Sequence, residues 1–223
     1  MIQSGSSFCF LQLYQRLPPD VKGHSLRVSL IMEMIVDELV KSGCDIPKRF
    51  GIETRDDMLH FAREAGFYHD IGKIKVPPAL LTKQGDLTAA ELREIRSHAL
   101  YAEDLITPCA KELCTSDQSY YRAIIEICVS HHERWDGKGY PYGLAGENIP
   151  FFARVCSVAD SYDAMVSKRF YSKAKSHAAA VEEIRSCSGS QFDPQAAEAF
   201  FQVRSEIHAL LMQKGKEIKP SGY

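Results

Sequence analysis

His131 and His132 stand side by side at the end of an apolar segment (Ile124, Ile125, Ile127, Cys128, Val129), and a Gly-rich loop carrying Asp136, Lys138 and Tyr140 follows at once. Imidazole is the commonest protein ligand for transition metals. Successive residues on a helix point about 100° apart, so adjacent histidines reach one ion only near a helix end or across a narrow pocket. The loop supplies such an end. A solvated histidine pair of no consequence is the alternative, and the remaining ligands of the chain decide between the two.

Those ligands recur at regular places. His69-Asp70 closes a helix predicted over Asp56–Tyr68 and is followed by Gly72 and Lys73. It offers one nitrogen ligand and one carboxylate able to bridge two cations. His24 precedes Val28 by one turn on the stripe Val28, Ile31, Ile35, Leu39, which turns it to the buried side. His98 shares the stripe of Ile95, Ala102, Leu105 and Cys109 in one long helix, opened by the capping box Thr88-x-x-Glu91. Asp160 and Asp163 lie beside the stripe Phe152, Val155, Ala159, Tyr162, Val166 of a helix with Pro150 in its first turn. A carboxylate so close to a core needs a cationic partner, either an arginine such as Arg154 or a metal. A single inward histidine is more often a hydrogen-bonded core residue, but two beside two His-containing dipeptides form a pattern. His60, His177 and His208 have no such company and are left outside the site.

The elements that must hold these residues are helical. A short helix is expected over 8–17, before Pro18-Pro19, and another helix over 24–40, and the 43–55 stretch, with Gly43, Pro47 and Gly51, reads as a connection. Helices over 178–187 and 194–213 carry apolar faces without further ligands and close a bundle. There is no internal repeat, no low-complexity tract and no sustained alternation of period two, so the fold class is all-α. With 223 residues, 45% hydrophobic and 25% charged, the chain suits a single domain with a buried core. A net charge of −2 gives no general attraction to duplex nucleic acid. Seven scattered cysteines without a C-x-x-C pair read as reduced thiols. No apolar run approaches a membrane span, and no signal-peptide pattern opens the chain, so the expected location is the cytoplasm.

In order, the motifs are His24-x-x-Arg27, His69-Asp70-x-Gly72-Lys73, His98, His131-His132, Gly139-Tyr140-Pro141 and Val158-Ala159-Asp160-x-Tyr162-Asp163-Ala164-Met165. Across residues 20–200 this resembles the HD-GYP family, a specialised branch of the HD metallophosphohydrolases. The resemblance implies a helical bundle with a buried site of two or three metals that hydrolyses cyclic di-GMP. It implies His24, His69, Asp70 and Asp160 as one ligand set, with Asp70 bridging to a second ion on His98, His131 and His132. Lys73 matches the family's pocket lysine and Tyr140 the tyrosine of its loop. On this reading residues 1–19 are a helical extension, 20–213 the catalytic domain and 214–223 a tail.

The ligand chemistry is compatible. Imidazole and carboxylate without thiolate suit several transition metals, and a bridging carboxylate favours iron or manganese pairs over structural zinc. Lys73 would neutralise phosphoryl charge, Asp70 would serve both ions, and Asp163 would orient a ligand or accept a proton. Some positions depart from the family pattern. Asp20 stands where three-metal members carry glutamate, and its side chain is shorter by one C–C bond, about 1.5 Å; the expected centre is therefore mainly dinuclear, releasing pGpG and degrading it to GMP only slowly. The family's Arg-Pro-Tyr is Arg169-Phe170-Tyr171, followed by Ser172 and Lys173, which leaves Arg169 and Lys173 as the expected phosphate contacts. Two other functions compete: an idle module that binds a cyclic dinucleotide or a signalling protein through the Gly139-Tyr140-Pro141 loop, and a general HD nucleotide phosphohydrolase. A complete ligand set opposes the first, and the Tyr140 loop opposes the second.

Overall fold

The computed structural model describes residues 6–46, 52–111, 115–167 and 174–217. They form α1 (Ser6–Gln15), α2 (Pro19–Lys41), α3 (Arg55–Tyr68), α4 (Pro78–Leu81), α5 (Ala89–Arg96), α6 (His98–Lys111), α7 (Thr115–Ser130), α8 (Phe151–Val166), α9 (His177–Ser186) and α10 (Pro194–Glu217). Short 3-10 turns occupy Ile71–Lys75 and Gly146–Asn148, and a lone bridge joins Ser188 to Phe192, with no strand among the described residues. The all-α expectation holds. No described helix is long and apolar enough to cross a membrane.

The bundle is built around α2, which packs on α3, α8 and α10. Its stripe Val28, Ile31, Ile35 and Leu39 is at most 1% exposed, and full burial of side chains of this size contributes about 1.5–3 kcal/mol each as an upper bound. Pro19 opens the helix with a preset φ. α3 starts on a capping box, Thr54 accepting from the Asp57 N–H at 3.1 Å while Asp57 accepts from the Thr54 N–H at 3.0 Å. α6 packs on α7 and on the 3-10 turn after Asp70, and α1 also lies against α6. α10 continues to Glu217, so the expected division at residue 213 falls inside a helix.

Three local expectations are corrected. The long helix read from Thr88 to Cys109 is two helices, because the chain breaks at Ser97, whose hydroxyl bonds back to the Arg93 carbonyl at 3.0 Å; such back-bonding competes with helix continuation. Pro150 occupies the position before the first helical residue of α8 rather than its first turn. Cys44, Cys128, Cys156 and Cys187 are free thiols, but Cys109 is disulfide-bonded, so the cysteines are not all reduced.

Candidate metal centre

Helix ends deliver the ligands. His69 is the residue at the C-terminal cap of α3, His98 opens α6 after the break at Ser97, and His131 follows the last turn of α7. Each sends Nδ1 to the carbonyl oxygen three residues earlier: Gly66 at 2.7 Å, Ile95 at 2.7 Å and Cys128 at 2.8 Å. A carbonyl oxygen only accepts, so each Nδ1 carries the proton and each Nε2 is left with its lone pair facing inward. Helix ends have spare carbonyls, which is why the same device repeats on three separate segments.

All three Nε2 atoms converge on Asp70, which is 1% exposed. Oδ2 lies 3.4 Å from His69 Nε2 and 3.7 Å from His24 Nε2, while Oδ1 lies 3.3 Å from His98 Nε2 and 3.9 Å from His131 Nε2. The two oxygens of one carboxylate therefore face two sets of nitrogens. Potential ligand atoms gather accordingly into Asp70, His98, His131 and His132, into His24, His69 and Asp70, and into His69, His131 and Asp160. His132 is half-buried, with Nδ1 4.0 Å from Asp160 Oδ2.

Gly72 permits this convergence. A Cβ there would lie 1.8 Å from the carbonyl oxygen of His98 and 3.0 Å from the backbone nitrogen of Ala102. Only a residue without a side chain lets the turn after Asp70 press so closely on the start of α6.

Asp160 lies on α8, 2.9 Å from His24 Nε2, and Asp163 points one turn further along. Asp163 is fully buried and holds the other ring nitrogen of His24 at 2.6 Å, while Arg27 donates to it from Nε at 2.6 Å and Nη2 at 3.0 Å. Arg27, on α2 with His24, completes a clamp around this carboxylate. Arg154, the alternative partner for the α8 carboxylates, pairs instead with Asp193 at 2.5 Å.

The protonation states favour metal ligation. Burial lowers the pKa of His98 to about 4 and of His132 to about 3, and holds His131 well below the usual histidine range. These imidazoles are neutral at physiological pH, as ligation requires. Burial alone would raise Asp70 and Asp160, but the charge of Lys73 beside Asp70 and the His24 hydrogen bond to Asp160 win, and both stay well below the carboxylate range. Burial likewise lowers His24, yet its bonds to Asp160 and Asp163 outweigh this and its pKa is raised. Lys73 Nζ sits 2.5 Å from Asp70 Oδ2. His69 Nε2 is buried with no hydrogen-bond partner, an expensive state for a polar atom that a cation at this point would relieve. The donor set fits transition-metal binding.

A cavity of about 210 Å³ opens onto the centre through His132 and Asp160, with Tyr140, Arg96, Lys138 and Gln191 among its other walls. Tyr140 stacks on His132 with ring centres 4.8 Å apart. Its loop is braced by Glu133, a carboxylate 2% exposed that accepts the backbone N–H groups of Tyr142 (2.7 Å) and Gly143 (3.1 Å) at Oε1 and of Leu144 (3.1 Å) at Oε2. Gly139 is packed so tightly on this turn that a Cβ would come within 2.4 Å of the Arg134 nitrogen.

Sequence reasoning missed Glu133, Arg27 and Arg96 as site residues. Arg27 had a signal in the His24-x-x-Arg27 spacing, which puts both on one helix face; the other two had none. Asp20 is exposed in the first turn of α2 and joins no ligand group. The helix begins at Pro19, with Pro18 before it and no side-chain cap bond. His60 is exposed, and His177 and His208 stack on each other at 4.3 Å outside the ligand groups. Arg169 and Lys173, the expected phosphate contacts, lie outside the described residues.

Comparison with known proteins agrees with this geometry. The family model for the HD domain matches residues 52–196. A probable cyclic di-GMP phosphodiesterase of Vibrio cholerae is 34% identical over 199 residues, 89% of this chain and 44% of that protein. A cyclic di-GMP phosphodiesterase of Thermotoga maritima is 41% identical over 139 residues, 62% of this chain and 36% of that protein. The chain thus spans less than half the length of these relatives. Among solved structures, an HDG"Y"P protein from Bdellovibrio bacteriovorus shares the fold with a TM-score of 0.57 at 17% identity, over 82% of this chain and 52% of that one. The family match runs through more than half of the sequence, so the chain belongs to the HD domain family.

Proposed function

We propose that the chain is a metal-dependent phosphodiesterase that opens cyclic di-GMP to linear pGpG, using two ions for which iron or manganese is the best chemical match. The observation that carries this reading is the division of Asp70 between two nitrogen sets, His24 and His69 at Oδ2, His98 and His131 at Oδ1. On this reading His24, His69, Asp70 and Asp160 hold one ion, and Asp70, His98, His131 and His132 hold the other. A bound pair supplies Lewis-acid neutralisation of phosphoryl charge and an activated water.

The chain's own groups do the rest. Asp163 fixes the ring of His24, Tyr140 walls the cavity beside His132, and Lys73 provides a cation that can turn from Asp70 to a phosphoryl oxygen. Arg169 and Lys173 remain phosphate contacts on sequence grounds. Asp20 lies apart from the ligand groups, which supports two ions and limited further breakdown of pGpG. The relatives' names and the complete ligand set support turnover over an idle binding module.

The test is a substrate panel on metal-reconstituted protein, with cyclic di-GMP, cyclic GMP-AMP and nucleoside triphosphates resolved by chromatography. Cyclic di-GMP should be converted to pGpG with the highest kcat/KM. Preferential release of phosphate from mononucleotides would refute the reading in favour of a general HD phosphohydrolase.

A further inference from the structure

The cavity beside the metal centre has walls of opposite character. The half-buried carboxylate of Asp160 and imidazole of His132 line it, together with the cations of Arg96, Arg134 and Lys138, of which Arg96 and Lys138 are the most exposed. These cations are not equally available. Arg134 is committed to Asp136, with bonds of 3.0 and 2.8 Å, and to Gln191 at 3.0 Å. Arg96 and Lys138 form no ion pair with a carboxylate among the described residues, and both are exposed. Arg96 is nonetheless not loose on the surface. Its guanidinium carbon lies 5.0 Å from the centre of the Tyr140 ring, and that ring stacks on His132 at 4.8 Å. A cation over an aromatic face is attracted by the ring's quadrupole, and the stack holds the guanidinium less than 10 Å from a proposed metal ligand.

We propose that Arg96, assisted by Lys138, binds the phosphate of the substrate that is not being cleaved, an inference that rests on the cyclic dinucleotide reading above. A cyclic dinucleotide carries two phosphates facing each other across one ring. When one is at the metal centre, the other lies on the side away from it. The cavity of about 210 Å³ is smaller than the roughly 300–1,000 Å³ of pockets that enclose a ligand of drug size, so part of the substrate projects toward solvent, to which these two cations are exposed. Arg96 holds its guanidinium over the Tyr140 ring and, without a carboxylate partner, has forked N–H donors suited to a phosphate. A substrate with only one phosphate has nothing to offer this contact.

The proposal predicts a change in selectivity. Metal-reconstituted wild type, Arg96→Gln, Arg96→Lys and Lys138→Gln are compared on cyclic di-GMP and on bis(p-nitrophenyl) phosphate, a diester with a single phosphate, with metal content measured for each. For Arg96→Gln the ratio of kcat/KM on cyclic di-GMP to that on the simple diester should fall at least about tenfold, as loss of a charge-assisted contact implies, mainly through KM. Arg96→Lys should recover part of the ratio, Lys138→Gln should lower it less, and metal content should stay at the wild-type level. An unchanged ratio, an equal loss on both substrates, or a loss of metal overturns the inference, the last two because they show Arg96 acting only through Tyr140 and His132. Wild type that cleaves the simple diester but not cyclic di-GMP overturns the substrate reading itself, and the inference with it.

Discussion

Replacing Gly72 with alanine should dismantle the metal centre without touching a ligand. The added Cβ would lie 1.8 Å from the His98 carbonyl oxygen, whereas contacts under 3.0 Å essentially never occur, so the turn after Asp70 and the start of α6 must part by about 1.2 Å. That movement separates Asp70 from His98, now 3.3 Å apart, and it exceeds by several-fold the tolerance of about 0.2 Å on metal–ligand distances. Overpacking of this kind costs about 1–3 kcal/mol of stability, and misplacing a catalytic group by about 1 Å costs on the order of 10²-fold in rate. Metal content, thermal unfolding and turnover would be measured on anaerobically purified Gly72→Ala, with Gly23→Ala as the control. Gly23 lies inside α2 with only a 3.4 Å contact to the end of Arg27, so its replacement should stabilise the helix by about 0.5–1 kcal/mol. Gly72→Ala that kept wild-type metal and turnover would refute the close-approach argument.

Three further outcomes follow from the same geometry. Asp163→Ala leaves Arg27 and His24 without their shared carboxylate and should cost about 3 kcal/mol in denaturant unfolding, the low end for a broken buried pair because Arg27 is partly exposed; a loss under about 0.5 kcal/mol, the size of an ordinary surface change, would count against the clamp. Glu133→Gln keeps one oxygen for the loop's N–H groups while Glu133→Ala keeps none, so turnover and thermal stability should fall further in the alanine variant, and equal effects would argue against the brace. In metal-free protein, burial holds His98 near 4 and His132 near 3, so below the usual histidine pKa of about 6.5 the unfolded chain binds protons first. Stability should therefore rise with pH across this window and be lost as pH falls from about 6.5 toward 4, His24 alone opposing the trend; thermal midpoints flat over that range would contradict it.

What was legible in the sequence was whatever depends on residue type and local spacing. The α2 stripe, the His69-Asp70 dipeptide at a helix end and the inward turn of His24 and His98 all follow from helical periodicity, and the structure shows them buried together. Long-range pairing was not legible. Nothing near Asp163 in the chain reveals Arg27 and His24, 136 and 139 residues away, nor does Arg154 announce Asp193 as its partner in place of an α8 carboxylate. The break at Ser97 was invisible to a hydrophobic pattern that runs through it, because it involves backbone and hydroxyl bonds back to Arg93 that the pattern does not record. Glu133 reads as a solvent-facing loop acid and is buried only because the loop folds its N–H groups around it. Asp20 stands apart from the ligand groups. It lies in the first turn of α2 and is exposed, which the sequence pattern alone does not reveal.

The central claim is that one carboxylate serves two metal ions and that phosphodiester hydrolysis depends on both. The most direct test measures metal per chain and cyclic di-GMP turnover together, for the wild type and for Asp70→Ala, after anaerobic purification. The account predicts two ions in the wild type, activity that rises with the second ion and vanishes on chelation, and a variant that loses both ions and all turnover. Full turnover with one ion or none, or Asp70→Ala that retains either metal or activity, would contradict it.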